Sequence, residues 1–303
     1  MNVVETSGLG KRYGNTSALH DCTMAIPAGH VVALVGPNGS GKSTLLNLVV
    51  GLAIPTAGSI AVLDGLHPAS PKALEHIAFV AQDAPTYRNL STADTLHLTR
   101  NLNRTFDQSM AERRLANLGI PLRQRSGRLS GGQKAQLALT LALARHPRLL
   151  VLDEPVASLD PLARSDFMAT VLSAVAEEGM SVLFSSHVLA DLERMADYLV
   201  LLSRGRVQLA GDVDDLLATH VVVSGPTSEI DHLTDLSVIH VSRGVSQSHA
   251  LLRATRPPLL PVHCESHRVG LEELAMAYLR EPDACALPGP DGLRSSAMTN
   301  VTR

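Results

Sequence analysis

The sequence predicts an α/β fold: a parallel core sheet with a helical subdomain inserted into it, followed by a small C-terminal appendage. Three observations predict it. Val31–Val35 is a β-branched run that stops at the glycine-rich stretch GPNGSGKST, and residues 42–50 continue from it with helical patterning. Residues 149–152 (LLVL) are a continuous apolar run, the pattern of a strand buried on both faces, and they end at Asp153 and Glu154. Between residues 84 and 146 the apolar spacing is helical throughout, over 91–101, 107–118 and 131–145.

The remaining elements follow in order. Residues 77–81 read as a strand. Asp160 and Pro161 open a helix in which Met168, Val171, Leu172 and Val175 fall at i, i+3, i+4 and i+7, and Gly179 is placed to stop it. Residues 181–185 read as the next strand, and repeated strand–helix alternation implies a parallel sheet covered on both faces. Beyond residue 220 the pattern gives short strands at 220–224, 236–242 and 250–254 and a helix at 270–279. The Pro-, Gly- and Ser-rich stretch from 281 reads as disordered. The expected organisation is a first domain over 1–220, carrying the helical subdomain at about 84–146, an accessory domain over 221–280, and a tail over 281–303.

Composition narrows the function classes. At 303 residues, 45% hydrophobic and 18% charged, the chain has globular usage. Its net charge of −3, with both signs scattered, argues against nucleic acid or an anionic membrane surface as partner. No stretch of 18 uninterrupted apolar residues occurs and no signal-peptide core opens the chain, so a cytoplasmic location is expected. Cys22, Cys264 and Cys285 have no framework spacing, which fits a reducing compartment.

The strongest chemical signal is the run Gly36, Pro37, Asn38, Gly39, Ser40, Gly41, Lys42, Ser43, Thr44. Its backbone N–H groups can surround phosphate oxygens, Lys42 brings a positive charge to the outer phosphates, and the Ser43 hydroxyl can bind Mg²⁺. Asp153 and Glu154 follow a strand directly. An acid there is placed to hold Mg²⁺, and its neighbour to orient or deprotonate water. Two acids after a strand are otherwise a solvated turn. The stretch Leu129, Ser130, Gly131, Gly132, Gln133 (LSGGQ) opens a second helix with a capping serine and accessible backbone donors, a second anion site in a chain that already has one. Head-to-tail pairing of two chains would give it a use. His263, Cys264 and His267 lie close in sequence, but a zinc site needs a fourth ligand and usually longer spacing, so Mg²⁺ beside the bound phosphates is the sole metal expected.

Together GPNGSGKST, LSGGQ and LLVLDE, in this order, resemble the ATP-binding subunits of ABC transporters over about residues 3–218. The resemblance implies a P-loop NTPase (ABC ATPase) core and ATP hydrolysis. It implies that Tyr13 stacks on adenine and that Gln82 touches Mg²⁺ and water. Ser158, Leu159 and Asp160 would contact an opposite chain; locally Asp160 also suits a helix cap. His187 would hydrogen-bond the γ-phosphate and position Glu154. It further implies a second ATPase subunit, expected to make a homodimer, and a permease on a separate polypeptide that would hold the chain at the cytoplasmic face. Export of a drug, peptide or lipid-like substrate is expected, with import, or a non-transport ATPase acting as a regulatory switch, as alternatives.

Overall fold

The computed structural model describes residues 1–82, 86–157, 159–186, 195–233, 237–254 and 258–284. Contacts divide the chain into two units, residues 1–32 with 42–186 and residues 33–41 with 187–303. The division falls inside the glycine loop, which belongs to the second unit as far as Gly41 and to the first from Lys42 onward.

In the first unit β1 (Asn2–Tyr13) and β2 (Thr16–Pro27) form a long hairpin. β3 (Val31–Val35), whose five residues are all buried, passes from the first unit into the second at Ala33. Back in the first unit, after α1 (Lys42–Val49), β4 (Ala57–Val62) pairs antiparallel with β1, giving a sheet of order β2-β1-β4. Sequence pattern predicts no strand before Val31, for a physical reason. Register shifts between Thr6 and Leu9 and again between Leu9 and Lys11 break the two-residue alternation, and Val3 and Val4 are buried side by side.

Next come α2 (Pro71–His76) and β5 (Ile77–Val80). The predicted helical insertion is present as α3 (Thr92–Leu102), α4 (Gln108–Asn117) and α5 (Gly131–Leu143). These helices share a core built on Leu96, Ala111, Leu115, Ile120, Leu129 and Leu137. Ser91 and Asp94 close a reciprocal capping box at the start of α3. Then β6 (Leu149–Asp153), α6 (Pro161–Glu178) and β7 (Ser181–Ser186) complete the unit, and β5, β6 and β7 pair parallel in that order. Gly179 ends α6 in the left-handed conformation at φ 64°, as its position predicts. Arg114 ties the helices together: Nη2 donates to Gln136 Oε1 and Thr170 Oγ1 at 3.0 Å each and Nε to Thr140 Oγ1 at 3.0 Å, linking α4 to α5 and α6.

In the second unit β8 (Tyr198–Ser203) and β9 (Arg206–Asp212) are antiparallel. This corrects the expectation of a purely parallel sheet. Arg204 and Gly205 both take positive φ, 48° and 75°, and such a two-residue turn folds the chain straight back instead of feeding a crossover helix. Beyond α7 (Val213–Ala218), β10 (His220–Pro226) and α8 (Thr227–Ile230), the strands β11 (Ser237–Arg243), β12 (Gln247–Arg253) and β13 (Glu265–Arg268) join β10 in an antiparallel sheet of order β11-β12-β10-β13. Val223, Ile230, Ala250 and Leu252 form its core. The last helix is α9 (Leu271–Arg280).

Residues 281–284 differ from the disorder expected at 281. Gln208 Nε2 lies 2.8, 2.7 and 3.0 Å from the carbonyl oxygens of Tyr278, Glu281 and Ala284, which share its two protons, and this gives the end of α9 the donor partner that helix-terminal carbonyls lack. The rest of the expected tail, with Cys285, lies outside the described residues.

His220 is buried against α9. Its Nδ1 donates to the Leu216 carbonyl at 2.7 Å, so in the neutral ring Nε2 accepts from the Tyr278 hydroxyl at 2.8 Å. Burial pushes this imidazole below its ordinary 6.5; the charge of Arg253 acts in the same direction and the Leu216 carbonyl opposes it. The unfolded chain therefore takes up this proton at higher pH than the folded chain. The stabilisation from neutral His220 is complete above pH 6.5 and declines as pH falls below it. Denaturant titrations of the parent and of His220→Gln across that range are expected to show the parent losing stability more steeply. Equal slopes would remove His220 as the cause.

Candidate active site

In the first unit, Lys42 opens α1 and is 6% exposed. Burial pulls its ammonium below the usual lysine range, while Glu154 and Asp153 act in the opposite direction. Its Nζ stands 4.0 Å from Glu154 Oε1. The Ser43 hydroxyl donates to Asp153 Oδ1 at 3.2 Å, and the Ser185 hydroxyl donates to the same oxygen at 2.7 Å. Ser185 Oγ also accepts from the Glu154 N–H at 2.9 Å, so one serine on β7 fixes both acids at the end of β6. Gln82 Nε2 donates to Glu154 Oε2 at 3.4 Å. Glu154 sits at φ 45°, a strained backbone for a residue with a side chain, and it is among these bonds that the strain is held.

In the second unit the glycine loop is closed to side chains. A Cβ on Gly36 would stand 2.1 Å from the Leu202 carbonyl oxygen and 2.6 Å from Ser40 Oγ. Gly205 N–H donates to the Ser40 carbonyl at 3.1 Å, and Ser40 N–H to that of Pro37 at 3.1 Å. Gly39 and Gly41 take φ 79° and 105°. Ser40 Oγ is buried without a hydrogen-bond partner among the described residues. That orphan, together with the Cβ-free cradle, fits a phosphate, and the hard oxygen donors of Ser43 and Asp153 fit Mg²⁺.

The LSGGQ helix start lies in the first unit. Ser130 Oγ accepts from Gln133 N–H at 3.2 Å and Gln133 Oε1 accepts from Ser130 N–H at 3.1 Å, a complete capping box at the head of α5. The two side chains thus cap the helix among themselves. Gly131 is exposed, and among the described residues no atom outside its own helix turn and chain neighbours lies within 4 Å of its Cβ direction, whereas a Cβ on Gly132 would touch Ala163 of α6 at 3.4 Å. Asp160 caps α6, its Oδ1 accepting from Leu162 and Ala163 N–H at 3.1 and 3.0 Å, and it stays exposed. Leu159 is buried.

Tyr13 ends β1 with 52% of its surface exposed, and Lys11 Nζ lies 5.0 Å from its ring centroid while donating to the Ile54 carbonyl at 2.8 Å. Ser158 and His187 lie outside the described residues. The HCESH residues do not share one partner. His263 and Cys264 both bond Glu229, at 2.7 and 3.7 Å, whereas His267 bonds Ser224 at 2.6 Å. Among the described residues no group of three His, Cys, Asp or Glu side chains is placed to hold a metal.

Ser185, Lys11 and the Leu202 carbonyl are the parts that sequence reasoning missed. Ser185 carried a signal only in hindsight, as a polar residue inside a fully buried strand.

The ABC transporter family model matches residues 19–157. The lantibiotic transport ATP-binding protein SrtF of Streptococcus pyogenes is 31% identical over 218 residues, 70% of this chain and 92% of that protein. The thiamine import ATP-binding protein ThiQ of Salmonella typhimurium is 32% identical over 201 residues, 65% of this chain and 86% of that protein. Among solved structures, an ATP-binding subunit of an ABC transporter is similar with a TM-score of 0.64 at 29% identity, covering 71% of this chain and 91% of that one. With its phosphate loop, paired acids and LSGGQ helix start in the family's order, the chain belongs to the ABC transporter family, as an ATP-binding subunit that hydrolyses ATP to power transport.

Proposed function

We propose that two copies of this chain close head to tail on two ATP molecules, and that closing and opening drive a separate permease exporting a drug, peptide or lipid-like molecule. The observation that carries the dimer is the second phosphate-binding helix start. Its capping side chains are satisfied internally and the backbone at Gly131 is open, in a chain whose own phosphate loop already supplies one cradle. A peptide-like cargo is supported by the likeness to a lantibiotic transport protein. The likeness to a thiamine import protein keeps import as the second reading.

The roles follow from chemistry. Gly36, Asn38, Gly39, Ser40, Gly41 and Thr44 wrap the phosphates in backbone donors, Pro37, which has no N–H, shapes the loop around them, and Lys42 balances their charge. Ser43, Asp153 and Gln82 hold Mg²⁺, which neutralises phosphate charge when bound. Glu154 orients the attacking water and accepts its proton. His187 hydrogen-bonds the γ-phosphate, and Tyr13 stacks on adenine. Ser130, Gly131, Gly132, Gln133 and Asp160 face the nucleotide of the partner chain. Phosphate release removes the anion joining the two faces, and the dimer opens. The assembly sits at the cytoplasmic face through the permease.

Residues 221–280, with a sheet and core of their own, are an accessory domain that hydrolysis does not need. ATP turnover measured over a protein dilution series is the test. Turnover rising faster than linearly with concentration, in the full chain and in a chain ending at residue 220, is the expected result. A concentration-independent specific rate would defeat the dimer, and a folded but inactive short chain would defeat the accessory assignment.

A further inference from the structure

The second unit holds a cavity of about 640 Å³ that the nucleotide chemistry does not use. The helix α7 contributes Asp214, Leu217 and Ala218 to its lining, and β13 contributes Ser266, His267 and Arg268 in succession. Ala254 N–H donates to the Thr219 carbonyl at 2.9 Å, which fixes the end of α7 beside the end of β12. Both contributors are thus tied to one sheet, and the cavity is built into it.

Leu217, Val221, Pro258 and Val269 make much of the lining apolar. In the antiparallel ladder Arg268 stands opposite Val221 and Ser266 opposite Val223, so Arg268 and Ser266 share the face of Val221. His267, opposite Val222, is on the other face and bonds the Ser224 hydroxyl at 2.6 Å. His220 also lines the cavity, but both its ring nitrogens are already bonded, to the Leu216 carbonyl and the Tyr278 hydroxyl. The charged groups left for a ligand are Asp214 and Arg268, both exposed and neither in an ion pair among the described residues. β13 adds an unpaired edge. It ends the order β11-β12-β10-β13, and among the described residues its backbone bonds only to β10, which leaves outward N–H and C=O groups without partners.

We infer that this cavity binds a short extended peptide with free ends, its ammonium on Asp214, its carboxylate on Arg268, its backbone along the open edge of β13 and its apolar side chains among Leu217, Val221 and Pro258. The volume suits such a ligand, since cavities for small organic molecules run about 300–1,000 Å³. A strand added to an open edge draws affinity from main-chain hydrogen bonds and selectivity from pockets for alternate side chains. A fatty acid would satisfy Arg268 but leave the Asp214 carboxylate against hydrocarbon and the edge unpaired. Only a peptide answers both charges, the apolar lining and the edge together. The accessory domain thereby gains a recognition role that requires neither ATP nor a permease.

The test is isothermal titration calorimetry of the full chain with the tripeptide Val-Leu-Val, its N-acetyl form, its C-terminal amide, a form methylated at the leucine nitrogen, and laurate. Val-Leu-Val is expected to bind, and each modified peptide to bind about tenfold more weakly, the loss of one hydrogen bond made to a charged group or to the strand edge. In R268Q the free peptide and its amide should bind equally, and in D214N the free peptide and its N-acetyl form should do so. Both side chains are exposed, so each variant should keep the parent's thermal midpoint and ATP turnover. The peptide series carries the test without them should either fail to fold. No binding of Val-Leu-Val, modified peptides or laurate bound as tightly as it, or folded variants that bind all forms as the parent does would overturn the inference. Because turnover is measured separately, none of these outcomes is confused with failure of the transport reading.

Discussion

Replacing Glu154 by Gln is expected to lower ATP turnover by about 10²–10⁴-fold, the usual contribution of a positioned general base, while ATP binding persists. The amide keeps the size and the acceptor oxygen that Gln82 Nε2 reaches at 3.4 Å, so the surrounding geometry survives and only the capacity to take a proton is lost. The backbone that places this residue is held independently of its side chain, by the Ser185 hydroxyl on its N–H at 2.9 Å. The variant should accumulate as an ATP-bound dimer by size-exclusion chromatography in Mg-ATP. A Glu154→Gln chain turning over at the parent's rate would remove Glu154 from the chemistry.

The second large effect is expected at Gly36→Ala. The added methyl would stand 2.1 Å from the Leu202 carbonyl oxygen, well inside contact distance and against backbone that cannot swing aside. Overpacking of this kind costs about 1–3 kcal/mol, and more where nothing yields. The loop has to shift for the chain to fold at all. A displacement of about 1 Å in a positioning element costs about 10²-fold in kcat/KM. Gly131→Ala provides the contrast, since among the described residues no atom outside its own helix turn and chain neighbours lies within 4 Å of that Cβ direction and its fold should be unaffected. Calorimetry and steady-state kinetics on both variants check this; a Gly36→Ala chain as stable and active as the parent would mean that the loop is looser than described.

The parts legible in the sequence were those in which one local rule dominates. Val31–Val35 before the glycine loop, the apolar run into Asp153, and α6 between Asp160–Pro161 and Gly179 all carry their boundaries in residue type alone. The β1–β2 hairpin was illegible because its bulges erase the alternation that identifies a strand. The reversal at Arg204–Gly205 was missed because a positive φ at arginine has no compositional signature. The site shows the same division. The phosphate loop, the acids and the Ser130 cap are adjacent in sequence to what they act on. Ser185, by contrast, reaches Asp153 across 32 residues and Gln208 reaches Ala284 across 76, and no local pattern encodes a contact between distant elements. The basic character of residues 84–146, ten Lys and Arg against three Asp and Glu, was lost by averaging, since a charge summed over the whole chain cancels it against an acidic remainder.

The central claim is that LSGGQ of one chain completes the nucleotide site of another, and mixing two disabled chains tests it most directly. Lys42→Met disables the phosphate loop. Gly131→Asp places a carboxylate at the helix start, in space the structure leaves open, where it repels phosphate without disturbing the fold. Each variant alone should be inactive. In an equimolar mixture, half of the dimers pair an intact loop with an intact helix start at one of their two sites, so turnover should recover to about one quarter of the parent's. A mixture as inactive as its components, or a Gly131→Asp chain active by itself, would contradict the account.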